Sequence, residues 1–339
     1  MEENRIEENE PLSSSSEIEN SNEEKYIHLS DKVQLLKNEI GKLVVGQEEL
    51  VELYVIALFS GGHLLLEGFP GIAKTMSAKL LSKAIDAEFS RIQFTPDLMP
   101  SDVLGTSIFN MGKSEFEFKK GPLFSQVVLI DEINRAPAKT QAALFEVMEE
   151  RQITVDGMTY KMEFPFMVLA TQNPIEQEGT YKLPEAQLDR FLFKVNMTYP
   201  NLEDEITILN KFKDDFNKES KTEINTILEK SDITEFQKLV EEVHIKDQLI
   251  NYIASIVYNT RNHHDLYLGA SPRASLSILK SSKATAALKG RSFVIPEDIM
   301  YVAPFVLNHR VVLTPEKELE GVDSKEVIKN IVEEIEVPR

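Results

Sequence analysis

Apolar residues recur along this chain with two different periods, and the switch between them divides it. After the helix-start signal Ser30-Asp31, the residues Val33, Leu36, Ile40 and Leu43 fall at helical spacing, and a turn at Val44-Val45-Gly46-Gln47 opens a second helix reaching about Ser60. Short apolar runs then take over. Leu64-Leu65-Leu66, Val127-Val128-Leu129-Ile130 and Phe166-Met167-Val168-Leu169-Ala170 have the continuous apolar character of strands buried on both faces of a parallel sheet. Residues 89–94 alternate like a strand, and 192–197 read as another. A helix is expected over 138–151, with Ala142, Phe145, Val147 and Met148 inward. Two segments alternate around turn signals and are expected to be hairpins: 106–118 about Met111-Gly112-Lys113, and 152–162 about Asp156-Gly157. Beyond Tyr199-Pro200 strand patterns nearly vanish. Helical spacing governs 206–216, 234–243, 246–261, 272–288, a helix opening at Pro296, and 324–334.

The breaks between these segments hold the candidate chemistry. Gly68-Phe69-Pro70-Gly71-Ile72-Ala73-Lys74-Thr75 joins the first apolar strand to a helix over 76–85, the context of a phosphate-binding loop. Backbone N–H groups and the helix N-terminus attract phosphate there, Lys74 can reach the outer phosphates, and the Thr75 hydroxyl can take Mg²⁺. Ala73 stands where a second glycine is expected. Its methyl need not block phosphate provided its backbone is helical. Asp131 and Glu132 emerge at the C-terminal end of a buried strand, the edge that also carries the phosphate loop, so Asp131 is placed to hold Mg²⁺ through water and Glu132 to polarise an attacking water. Asn173 leaves another strand end. It can bond a γ-phosphate or its water, or simply start a turn with Pro174, and the strand context favours the first. Arg190 can pair with Asp189 or Glu185 on the surface. Arg273, just after Ser271-Pro272 at a helix start, opposes the helix dipole, which points to an anionic partner.

Composition narrows the possibilities. The 339 residues, 42% hydrophobic and 27% charged, fit one large and one small globular unit. No apolar run reaches membrane-spanning length, and the acidic start lacks the apolar core of a signal peptide, so a cytoplasmic location without membrane insertion is expected. Zero cysteines exclude disulfides, thiolate metal sites and thiol nucleophiles, and the six histidines form no metal-ligand pattern. The net charge of −19 disfavours nucleic acid and anionic lipid as partners. Residues 1–26 offer almost nothing to bury and are expected to form a disordered acidic tail.

Taken in order, Val45-Gly46-Gln47, the loop Gly68 to Thr75, Phe94-Thr95-Pro96-Asp97-Leu98, Leu129 to Ala136, Met148-Glu149-Glu150-Arg151, Asn173-Pro174, Glu185 to Phe191 and Ser271-Pro272-Arg273-Ala274 resemble the MoxR family of AAA+ ATPases, in the clade with an insert in helix 2. Alanine before the lysine is common in that family. The resemblance implies an α/β fold: a three-layer αβα core with a parallel five-stranded sheet over 27–199, then a small all-helical lid over 200–339. It also implies a homo-oligomeric ring, commonly hexameric, using ATP and Mg²⁺. By resemblance, residues 68–76 from Gly68 to Met76, including Phe69, Pro70, Gly71 and Ile72, bind nucleotide, with Gly46 and Gln47 near the adenine. Lys74, Thr75, Asp131 and Glu132 act in cis and Asn173 is sensor 1. Arg190 is the arginine finger toward the neighbouring subunit, Arg273 is sensor 2, and Arg135 faces the subunit interface. The two hairpins correspond to lumen-facing or partner-facing elements, with simple protection of the sheet edge as the plainer reading. The function implied is a chaperone-like remodeller of partner proteins, often ones with von Willebrand factor A domains. A magnesium-chelatase-like motor subunit, a DNA-associated motor and a nucleotide-gated scaffold are the alternatives.

Overall fold

The computed structural model describes residues 14–69, 71–173, 181, 183–215 and 221–338, with side chains from residue 23 onward. Five strands form its central sheet: β1 (Leu64–Gly68), β2 (Phe89–Gln93), β5 (Val127–Asp131), β8 (Met167–Gln172) and β9 (Phe193–Met197), in the order β2-β5-β8-β1-β9. All four pairings are parallel. The C-terminal ends of the strands therefore share one edge, where parallel sheets leave room for a ligand.

Alternation along the buried strands feeds two separate cores. Leu64, Leu66, Val127, Leu129, Met167 and Leu169 join a cluster with α2 (Glu48–Ser60), α3 (Lys74–Ala84) and helices from beyond residue 230. Leu65, Val128, Ile130, Val168 and Ala170 face the other way, toward Leu144, Phe145 and Met148 of α5 (Ala138–Glu150). Sheet faces with opposite partners make the layers of an αβα sandwich. Within α5, Ala142 is exposed, contrary to expectation. Phe145, Val147 and Met148 are buried as expected, and Gln141 and Leu144 complete the inward stripe.

The first helix begins earlier than Ser30. α1 runs Ser14–Gly41 as one helix, and Tyr26 and Leu29 are buried in line with Val33, Leu36 and Ile40. The Tyr26 hydroxyl donates to the Leu239 carbonyl at 3.1 Å. A tail reaching residue 26 is thus corrected: the apolar stripe extends one turn N-terminal to the Ser-Asp pair because a helix further along the chain supplies its partner. Residues 1–13 lie outside the described residues.

Beyond the sheet, α7 (Leu202–Phe212) starts four residues ahead of expectation because the Asn201 side chain caps it, accepting from the Asp204 N–H at 2.9 Å. There follow α8 (Lys230–Glu242), α9 (Asp247–Thr260), α10 (Pro272–Leu288), α11 (Pro296–Leu307) and α13 (Ser324–Glu334), with the short α12 (Pro315–Leu319) and an antiparallel pair, β10 (Leu266–Leu268) with β11 (Val312–Leu313). Both expected hairpins form, β3 (Gly105–Asn110) with β4 (Glu115–Lys120) and β6 (Gln152–Val155) with β7 (Met158–Lys161). Phe118 of one stacks on Tyr160 of the other at 4.6 Å between centroids.

Candidate active site

Four strand ends and one helix start meet at the sheet's C-terminal edge. Gly68, Gly71, Ala73, Lys74, Thr75, Met76, Asp131, Glu132 and Asn173 line one cleft of about 460 Å³, together with Lys79, Arg91, Gln93 and Thr171. Gly71 takes φ +86°, which only glycine adopts freely. Ala73 is not in the right-handed helical conformation that would spare its methyl. It sits at φ 61°, ψ 21°, left-handed, immediately ahead of α3. The methyl is tolerated at a cost of about 1–2 kcal/mol in backbone strain. Ile72 is buried beneath the loop, and Phe69 stacks on Tyr199 at 5.0 Å. Pro70 lies outside the described residues.

Lys74 Nζ donates to the Gly68 carbonyl at 2.5 Å. Burial pushes its pKa down, while Asp131, Glu67 and Glu132 oppose that shift. Asp131 is buried, its Oδ2 paired with Arg91 Nε at 2.5 Å and its Oδ1 accepting from the Thr171 hydroxyl at 3.3 Å. Glu132 is itself left-handed at φ 58°, pinned by its N–H donating to Thr171 Oγ1 at 3.0 Å. Its Oε2 accepts from Gln93 Nε2 at 2.7 Å and pairs with Arg135 Nε at 3.0 Å. Arg91, Gln93 and Thr171 are thus site residues the sequence reading missed. Alternation along β2 places Arg91 and Gln93 on one face, and the missing information was that β2 would lie beside β5.

The residues present fit Mg²⁺ with a nucleotide. Thr75 and Asp131 offer hard oxygen atoms in the same cleft, and Mg²⁺ ordinarily binds through one or two carboxylates and substrate phosphates rather than a protein cage. Accordingly, no group of three or more acidic, His or Cys ligands occurs among the described residues.

Arg190 and Arg273 are elsewhere. Both contact Glu149, Arg190 Nη1 at 3.5 Å and Arg273 Nη2 at 2.7 Å, in a second cleft that also holds Arg151, Lys280 and Arg310. Arg190 also donates to the Phe145 carbonyl at 3.1 Å, and its Nε is buried without a hydrogen-bond partner. The surface pairing of Arg190 with Asp189 does not occur, because Asp189 is taken by Arg310 at 2.6 Å. Arg273 therefore does not reach its own phosphate loop. Gly46 and Gln47 do not line the phosphate cleft either: Gly46, at φ +71°, packs against Asp204, and Gln47 faces a hollow between α1 and α2.

Residues 63–193 match the ATPase family associated with various cellular activities, and residues 258–331 match the AAA lid domain. The YeaC protein of Bacillus subtilis is 46% identical over 88% of this chain and 92% of its own length. The chain belongs to the MoxR family of AAA+ ATPases. Chaperone MoxR1 of Mycobacterium tuberculosis is 42% identical over 89% of this chain and 81% of its own. A crystal structure of a Cytophaga hutchinsonii protein assigned as an ATPase superposes with a TM-score of 0.87 at 42% identity, over 96% of this chain and 100% of that one. This MoxR-family member is accordingly an ATPase with an AAA+ core and a helical lid. No helix among the described residues is long and apolar enough to cross a membrane.

Proposed function

We propose that this ATPase works as a hexameric ring whose active sites are shared between neighbouring subunits, and that the ring remodels partner proteins as a chaperone does. One observation carries the shared-site reading. The cations Arg190 and Arg273 stand together on Glu149 in a cleft that has no residue in common with the phosphate-loop cleft. Cations that cannot reach the nucleotide of their own subunit can serve the next one.

In this reading Lys74 leaves the Gly68 carbonyl for the outer phosphates, and Thr75 and Asp131 hold Mg²⁺. When bound, Mg²⁺ supplies charge neutralisation at the β and γ phosphates. Glu132 orients a water and takes its proton as the terminal phosphoryl group is transferred to that water and ADP leaves. Asn173 steadies the γ-phosphate. Arg190, with Arg273, comes from the neighbour, where such a cation accelerates hydrolysis by roughly 10³–10⁵-fold. The test is turnover per subunit against protein concentration, alongside sedimentation. Turnover should rise with assembly and be lost in Arg190→Ala. Concentration-independent turnover that survives Arg190→Ala sinks the proposal.

The protein-client reading is supported by the relative named as a chaperone and by the apolar hairpin tips, where Met111 is 88% exposed and Phe116 73%. A von Willebrand factor A domain is the expected client. Met111→Asp with Phe116→Asp should keep basal turnover within about twofold and abolish any stimulation by such a domain, since the tips touch no part of the phosphate cleft. Unchanged stimulation removes the β3–β4 hairpin from client contact.

A further inference from the structure

Arg310 is distant in sequence from every residue assigned a role above, and it is buried, 7% exposed. Its Nε donates to Asp189 Oδ1 at 2.6 Å and its Nη2 to the carbonyls of Asp189 at 3.0 Å and Phe191 at 2.7 Å. Its Nη1 donates to the Leu192 carbonyl at 3.2 Å and also to that of Val306. The acceptors bracket Arg190 on both sides.

That segment needs outside donors. It lies between the single turn α6 (Glu185–Leu188) and β9, so its carbonyls have no ladder to pair with. Other donors come from the same quarter of the molecule. Ser271 Oγ donates to Asp189 Oδ2 at 3.1 Å, His309 Nε2 to the Phe191 carbonyl at 3.0 Å, and Asn308 Nδ2 to the Lys194 carbonyl at 2.9 Å. All of them lie in the C-terminal helical part. The carbonyls around Arg190 are therefore held by the lid, while its guanidinium is held by little more than Phe145 and Glu149 and keeps a buried, unpartnered Nε.

We infer that Arg310 is the positioning residue for Arg190, so that the lid sets where the cation offered to the neighbouring subunit stands. The inference rests on the shared-site reading proposed above. Only a planar fork of donors can hold one carboxylate and several carbonyls at once, so lysine should not substitute. A shift of about 1 Å in a positioned group can lower turnover roughly 10²-fold without touching the chemistry.

The experiment uses full-length Arg310→Met and Arg310→Lys, each alone and mixed equally with Glu132→Gln, whose own Arg190 is intact. An Arg190→Ala plus Glu132→Gln mixture is the control. Each Arg310 variant alone should lose roughly 10²-fold in kcat with the KM for ATP changed less than about threefold. Mixing should restore activity to the level of the control, because the partner supplies a correctly placed arginine. If the control recovers and the Arg310 mixtures do not, Arg310 is an ordinary structural residue and the inference falls while the shared site stands. Wild-type turnover in Arg310→Met overturns it equally. A control that stays inactive removes the shared site and the inference with it. Should both Arg310 variants fail to assemble, Ser271→Ala, which removes one donor to Asp189, decides: a loss of about threefold or more, restored by Glu132→Gln, is expected, and unchanged turnover is contrary.

Discussion

Ala73 holds a methyl group at a left-handed position where the phosphate loop would be more relaxed with glycine. Ala73→Gly should raise unfolding free energy by about 0.5–1 kcal/mol, the strain relieved less the glycine's extra entropy in the unfolded chain. Chemical denaturation of the two proteins measures this, and a less stable Ala73→Gly would contradict the backbone reading. Glu132 bears the same strain, but here Thr171 holds it and the residue is functional in our account. Glu132→Gln should bind ATP normally and turn it over roughly 10²–10⁴-fold more slowly in a single-turnover assay. Loop and acid pair alike were legible in the sequence, because each sits at the end of an unmistakable apolar run. The left-handed turns were not, since conformation at a single residue leaves no periodic trace.

At the level of elements, β1 is joined to its surroundings by a buried histidine. His63 Nδ1 accepts from the Val168 N–H at 3.0 Å and its Nε2 faces the Met148 carbonyl at 3.3 Å, tying β1, β8 and α5 together. Burial, with Arg151 adding to it, pushes the His63 pKa down to about 4 against the Met148 carbonyl's opposing pull. His309, between the lid and Phe191, is likewise lowered by burial and by Arg310. A histidine with a depressed folded pKa binds its proton more readily unfolded. Its contribution is complete above the unfolded value near 6.5 and shrinks as pH falls toward 4, by on the order of 3 kcal/mol for His63. Denaturation midpoints at pH 7.5 and pH 5 should differ accordingly, and a His63→Gln protein should show a weaker pH dependence. Equal dependence in both proteins would rule His63 out as a cause. The period of each strand was readable, but the neighbour of each strand was not. Arg91 and Gln93 became site residues only because β2 pairs with β5 in a register that sets Gln93 beside Asp131. The same limitation hid the first turns of α1, whose partner at Leu239 lies more than two hundred residues away.

For the whole molecule, the resemblance already turned Arg190 toward a neighbour's nucleotide, but the sequence could not convey that Arg273 would stand beside it. Arg190 and Arg273 are each readable as anion partners, yet only the folded chain sets both on Glu149 and away from Lys74. Long-range packing decides this, through Arg310 and Ser271 acting on Asp189. In the shared-site reading proposed above, heterologous contacts between identical copies would complete each site from two chains. The most direct measurement is ATP turnover of Arg190→Ala, of Glu132→Gln, and of their equimolar mixture at concentrations where the wild type is assembled. The account predicts two inactive proteins and an active mixture, with about one interface in four pairing an intact Glu132 with an intact neighbouring Arg190. A mixture as inactive as its components, in rings shown by sedimentation to have exchanged subunits, would contradict a site shared between subunits.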